Sequence, residues 1–145
     1  PELEMFCAVA DNYKSATSTD GITWTEHVMP PNKWYKVCWS PKLRLFCAVA
    51  YEGNKITTSN DGVTWVVHTV PTSDLYGVCW SPDLGVFFAV SHNTKAGVVS
   101  SDGVIWKAKA IPCTNARCVC WSSELGIFCA MIDTGKSLTS FPLSL

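Results

Sequence analysis

Residues 34–50 read W-Y-K-V-C-W-S-P-K-L-R-L-F-C-A-V-A, two apolar runs of aromatic, β-branched and small residues either side of a turn. Pro41 fixes the backbone of that turn. YEGN follows as a loop, then the short alternating run KITTS, then Asp61-Gly62, a pair that signals a hairpin. VTWVVHTV is a further apolar run, closed by Pro71. No segment keeps a 3.6-residue period over the length a helix needs. The pattern predicts four short strands: A, WYKVCWS (34–40); B, RLFCAVA (44–50); C, KITTS (55–59); D, VTWVVHT (63–69). Strands A and B are apolar on both faces, which requires a sheet packed above and another below. A two-layer sandwich would leave one face of each strand polar.

The same pattern recurs. Trp24, Trp65 and Trp106 are spaced by 41 and 41, as are Trp39, Trp80 and Trp121; Phe6, Phe46, Phe87 and Phe128 are spaced by 40, 41 and 41. The B strands align as PELEMFCAVA, PKLRLFCAVA, PDLGVFFAVS and SELGIFCAMI. Four strands in each unit of ~40 residues is the period of a propeller blade. The expected fold is all-β, a partial β-propeller forming a single repeat domain over 1–145, with units 1–40, 41–81, 82–122 and a partial 123–145. With strands ordered A to D from inside to outside, the chain reads B-C-D, A-B-C-D, A-B-C-D, A-B-C. That is fourteen strands, or three and a half blades. Such an arc exposes apolar faces at its ends. It is therefore expected either to be part of a longer propeller or to self-associate through its unpaired ends.

One phrase marks each full unit: STDGITW (18–24), SNDGVTW (59–65) and SSDGVIW (100–106). Asp20, Asp61 and Asp102 are suited to accept hydrogen bonds from their own turns. Gly21, Gly62 and Gly103 supply the positive φ of a tight two-residue hairpin. Ser18, Ser59 and Ser100 tie the turn from the other side. Trp24, Trp65 and Trp106 are expected to fold over the hairpin and fill the gap to the next blade. Placed on separate blades, the three aspartates do not converge on a metal or a reacting bond.

The phrase resembles the Asp-box, or BNR repeat, of sialidase-like β-propellers, and this tryptophan-rich likeness extends over nearly the whole chain. It differs in one respect: Asp and Gly are adjacent here, whereas the family's box has a residue between them. The resemblance implies a structural box, remote from any active site. It also implies that sialidase chemistry would need a cluster of arginines, and the chain has only Arg44 and Arg117. The family's catalytic residues are therefore not carried over, and no enzyme activity is expected.

Composition narrows the rest. Hydrophobic residues make up 48% and charged ones 16%, a globular balance. A formal net charge of −1 and the absence of a basic run argue against a nucleic-acid partner. The apolar runs are far shorter than the ~20 residues of a membrane helix, so no membrane partner is expected. The cysteines follow the repeat: Cys38, Cys79 and Cys120 in V-C-W-S, and Cys7, Cys47 and Cys129 in F-C-A. They are read as structural thiols in buried slots, which favours a reducing compartment; a Cys38–Cys47 bridge is the alternative. No zinc, phosphate-loop or hydrolase motif is present, so no metal or cofactor is expected. His27 and His68 are repeat equivalents on strand D, read as polar edge residues; His92 stands alone in a B–C loop.

Variation between units concentrates in two sets of loops. The D–A connections read MPPNKWYK, VPTSDLYG and IPCTNARC, and the B–C connections DNYKS, YEGNK, SHNTKAG and DTGKS. Strand alternation brings both sets to one face of a propeller, and binding residues favour loops on a rigid scaffold. The candidate ligand-binding residues are Tyr13, Trp34, Tyr35, Tyr51, Asn54, Lys55, Tyr76, Asn93 and Asn115. An aromatic and amide surface of this kind suits a protein or a glycan. The expected function is a non-catalytic binding or scaffold module; the alternative is a lectin or the remnant of a sialidase-like glycoside hydrolase.

Overall fold

The computed structural model describes residues 3–133 and the backbone of strand 137–139; the rest of the partial fourth unit lies outside the described residues. The described chain forms fourteen strands in four antiparallel sheets. The first sheet holds β1 (Phe6–Ala10), β2 (Lys14–Ser18) and β3 (Thr25–Val28). The second holds β4 (Trp34–Ser40), β5 (Leu45–Ala50), β6 (Lys55–Ser59) and β7 (Val66–Thr69). The third holds β8 (Leu75–Ser81), β9 (Val86–Ser91), β10 (Ala96–Ser100) and β11 (Lys107–Ala110). The fourth holds β12 (Ala116–Ser122), β13 (Ile127–Ile132) and β14 (Ser137–Thr139). Each sheet is a blade with its strands in sequence order. The innermost strands β4, β8 and β12 pack side by side, as strands around a common axis must.

The blade order is the one expected from the repeat. Strand D is shorter than the hydrophobic pattern indicates: β7 begins at Val66, and Trp65 lies outside it. Residues 60–65 form the connection, so the hairpin is wider than a two-residue turn, and Gly62 takes the positive φ of 73°. The outer strands β3, β7 and β11 are exposed along most of their length, whereas β9 is buried at every position. Three apolar slabs, one between each pair of neighbouring blades, form the core.

Each box aspartate organises its turn in the same way. Asp61 Oδ1 accepts from the backbone N–H groups of Val63 (2.8 Å) and Thr64 (2.7 Å) and from the Ser59 hydroxyl (2.9 Å), while Gly62 N–H donates to Ser59 Oγ (2.8 Å). Asp20 and Asp102 repeat this set. Glycine is required here on two counts. Its φ is left-handed, and a Cβ on Gly62 would stand 2.8 Å from Thr17 Cγ2, while one on Gly103 would stand 2.5 Å from Leu45 Cδ2. Thr17 belongs to the first blade and Leu45 to the second, so each box seats on the blade before it. Trp65 follows the same direction: its indole N–H reaches Gly62 O (3.1 Å) and Ser15 Oγ (3.2 Å) of the first blade. The tryptophan therefore closes the gap to the preceding blade, not the next one.

All eight cysteines are free thiols. Cys38 lies opposite Cys47 and Cys120 opposite Cys129 across the sheet, while Cys79 faces Phe88, as the repeat indicates. Burial raises the thiols: Cys7 to about 11 and Cys79 to about 12.

Candidate functional site

The D–A and B–C loops do meet on one face, where backbone hydrogen bonds stitch them together. Tyr51 N–H donates to Lys33 O (3.0 Å), Asp74 N–H to Gly53 O (3.0 Å), His92 N–H to Asp74 O (2.9 Å), Asn115 N–H to His92 O (2.6 Å) and Asp133 N–H to Asn115 O (3.2 Å). The bonds run from blade to blade. Asp74 and Asn115, one repeat apart, both adopt positive φ (54° and 61°), a region that Asp and Asn tolerate better than most side chains.

The site itself grows from two rows of repeat equivalents. Each inner strand carries a register shift at its second residue: between Trp34 and Lys36, Leu75 and Gly77, and Ala116 and Cys118. The bulged residues are Tyr35, Tyr76 and Arg117. A bulge leaves its residue unpaired and re-aims the side chain. The second row follows strands β5, β9 and β13: Tyr51, His92 and Asp133, again 41 apart. The two rows converge on Tyr76. Its ring lies 4.9 Å from Tyr35, 4.6 Å from Tyr51 and 4.7 Å from His92, centroid to centroid. The Arg117 guanidinium sits over the same ring at 4.6 Å. Desolvation and the hydrogen bond with Tyr51 push the Tyr76 phenol up to about 12.

Polar groups continue from this aromatic centre. Arg117 clamps Asp133 with two N–H donors, Nε to Oδ1 and Nη2 to Oδ2 (2.9 Å). His92 Nε2 meets the same carboxylate at 2.9 Å, and its Nδ1 meets Asn93 Oδ1 at 2.8 Å. Asn93 Nδ2 donates to Asp74 Oδ2 (2.9 Å). Arg117 and His92 together hold the Asp133 carboxyl down at about 2, and Asp133 in turn raises the guanidinium. An acid held that low stays ionised near neutrality and has no proton to give to a leaving group.

Of the nine candidate residues, Tyr35, Tyr51, Tyr76 and Asn93 join this cluster. Trp34 does not: it is buried, with its indole N–H donating to Pro30 O (2.8 Å). It is the repeat equivalent of the buried Leu75 and Ala116, the inward anchor of strand A, so its place in a variable loop misled. Tyr13 is exposed on the first blade, with φ of 64°. Asn54 lines a shallow groove with Thr72, Ser73 and Thr94, and Lys55 donates to Thr69 Oγ1 (2.6 Å). Asn115 enters through its backbone. Arg117, Asp133, His92 and Asp74 were not among the candidates, although the 41-residue spacing from Tyr35 to Tyr76 to Arg117 was there to find them. His27 and His68 tie their outer strands to Thr17 and Thr58 (2.9 Å each), a structural role. Among the described residues, no group of three or more His, Cys, Asp or Glu side chains is placed to hold a metal ion.

A second concavity, about 420 Å³, lies away from this face and is lined by Val86, Val99, Asp102 and Lys107 among others. Val86 and Val99 are the repeat equivalents of Leu45 and Thr58, the seat of the Gly103 box. This groove is the next seat in the series, part of the blade architecture and separate from the loop-face cluster.

No family model and no curated protein sequence matches the chain. Solved structures do. The chain is similar to virginiamycin B lyase from Staphylococcus aureus (TM-score 0.69, 12% identity), covering 93% of this chain and 50% of the lyase. It is similar to a chain of a nidogen/laminin complex (TM-score 0.67, 12% identity), covering 82% of this chain and 48% of that one. It is also similar to a GH74 enzyme from Niastella koreensis (TM-score 0.66, 21% identity), covering 91% of this chain and 20% of the enzyme. The chain thus spans about half the length of the first two. At these identities the likeness concerns the fold, and it establishes the chain as a β-propeller.

Proposed function

We propose that the chain is a non-catalytic binding module, an Asp-box type of propeller that engages a protein surface through its loop-bearing face. The convergence of Tyr35, Tyr51, Tyr76, His92, Arg117 and Asp133 carries this reading. Tyr76 is covered on every side by these neighbours, so the centre of the cluster is filled, and what it offers a partner is a firm, mixed surface. Half-exposed tyrosines around an arginine are the side chains enriched at protein interfaces. That one neighbour forms part of a nidogen/laminin complex is consistent with a protein partner.

The test is a random-peptide display selection on the immobilised chain, with Tyr35→Ala/Tyr51→Ala as the counter-target. Peptides that bind the wild type and not the variant are the expected result. Binding confined to sugars on a glycan array would replace this reading with a lectin. Release of a model aryl sialoside would overturn the non-catalytic assignment.

A further inference from the structure

We propose that the groove between the second and third blades, on the loop face, takes a tryptophan side chain from the protein partner. This rests on the reading of that face as a protein-binding surface. The repeat supplies a template for the ligand. Between the first and second blades the chain provides its own indole. Trp34, 1% exposed, packs with Met29 and Ala50, and its N–H donates to Pro30 O at 2.8 Å.

One repeat later the same positions hold smaller groups. Leu75 stands in the place of Trp34, Val70 in that of Met29 and Ser91 in that of Ala50, while Pro71 repeats Pro30. Leu75 pairs with Ser91 across the ladder as Trp34 pairs with Ala50. An isobutyl group replaces an indole and brings no N–H, and Pro71 O accepts no hydrogen bond from the described residues. Ser91 Oγ is fully buried and also has no partner among the described residues, which is rare for a buried hydroxyl. The third interface differs. Ala116 is smaller still, but Ile132 faces it across the ladder and packs against the core there.

At this end of the interface between the second and third blades lies a groove of about 540 Å³, lined by Asn54, Val70, Pro71, Thr72 and Thr94 among others. Two of these, Val70 and Pro71, are the equivalents of the residues that hold the Trp34 indole. Thr72 Oγ1 and Thr94 Oγ1 lie 3.3 Å apart. The valine, proline and threonine carbons suit the faces of a ring, and Pro71 O suits the N–H that a buried indole must satisfy. The groove adjoins the tyrosine cluster through Asp74, whose carboxylate accepts from Ser73 in the groove lining and from Asn93 in the cluster. One partner therefore reaches both, and tryptophan is among the side chains that carry most binding energy at protein interfaces.

The probe is N-acetyltryptophanamide, titrated to millimolar concentration into the isotope-labelled full chain and followed by backbone amide chemical shifts. Saturable shifts at Val70, Thr72 and Thr94 are the expected result. N-acetylphenylalaninamide keeps a ring but lacks the N–H, and should bind about five- to tenfold more weakly. Leu75→Trp returns the repeat's own indole to the site and should abolish the shifts. Thr94→Arg, which sets a bulky group into the groove lining from a half-buried position, should abolish them even where Leu75→Trp does not fold. Tyr35→Ala/Tyr51→Ala should bind the amide as the wild type does. Peptides selected through the tyrosines while the amide fails would leave the binding-module reading standing and overturn the groove alone. No saturable shift, equal affinity for the two amides, binding that survives Thr94→Arg, or binding lost with the tyrosines overturns the inference. Free tryptophan binding about tenfold tighter than the blocked amide would make the ligand a free amino acid, and overturns it too.

Discussion

Replacing Trp65 by alanine removes an indole that seals one blade against another. The side chain is nearly fully buried, between Phe46 of its own blade and the Met5, Cys7 and Ser15 side of the first blade. A tryptophan buries ~150–250 Å², worth roughly 4–6 kcal/mol at ~25 cal/mol/Å² as an upper bound. Measured losses for such truncations in cores run ~3–5 kcal/mol. The lost hydrogen bonds add little, because Ser15 Oγ keeps its own bond to Gly62 O (3.0 Å). Asp61→Ala removes three hydrogen bonds in a turn where water can replace them, for a net cost of about 1–2 kcal/mol. Trp24→Ala removes the same residue from the same phrase, but with 43% of the residue already exposed, and should cost about 2–3 kcal/mol. Urea denaturation under conditions where the chain is monomeric, followed by circular dichroism, ranks the three. The expected order is Trp65→Ala highest, then Trp24→Ala, with Asp61→Ala lowest. If Trp24→Ala cost as much as Trp65→Ala, the indole would be acting within its own hairpin, and the sealing of one blade by the next would be refuted.

Three further outcomes follow from the same geometry. Backbone donors lower all three box carboxyls, Asp20 to about 2, so their stabilisation is complete above the ordinary aspartate value of 3.8 and is lost as pH falls toward 2; an acid titration of the melting midpoint should show this loss, and Asp61→Asn should shrink it. Exposed Cys120 should react with a thiol reagent at mildly alkaline pH in the folded chain, while buried Cys47, raised strongly by desolvation, should react only on unfolding, which mass mapping of labelled peptides will show. Hydrogen exchange should be slowest in β5, β6, β9 and β10, which have neighbours on both faces, and faster in β1 and β13.

Much of the fold was legible because the repeat reports burial directly. RLFCAVA and VFFAVS are apolar at consecutive positions, which only a strand covered on both faces tolerates, and the 41-residue spacing fixed how many such strands to expect. What the linear pattern could not convey is direction. The phrase SNDGVTW calls for a turn capped by its aspartate, yet nothing in it says that Trp65 leans on the preceding blade. That depends on the side of the sheet to which the wide 60–65 connection delivers it.

The site was less legible for a similar reason. Tyr35 and Tyr76 share a phenol, but Arg117, the third member of the row, does not, so a search for like residues stops short of it. The three come together because each occupies a bulge, and a bulge is a property of pairing between strands. Trp34 shows the converse. Its size and its loop context suggested a surface, while its equivalence to Leu75 and Ala116 marked an interior anchor.

The most direct measurement is a nuclear Overhauser spectrum of the assigned chain around the box glycines. Stacked blades place Gly62 against the Thr17 methyl of the first blade and Gly103 against the Leu45 methyls of the second. Cross-peaks for both pairs are the predicted result. Their absence, with each box glycine instead touching only its own hairpin or the blade that follows, would contradict the account.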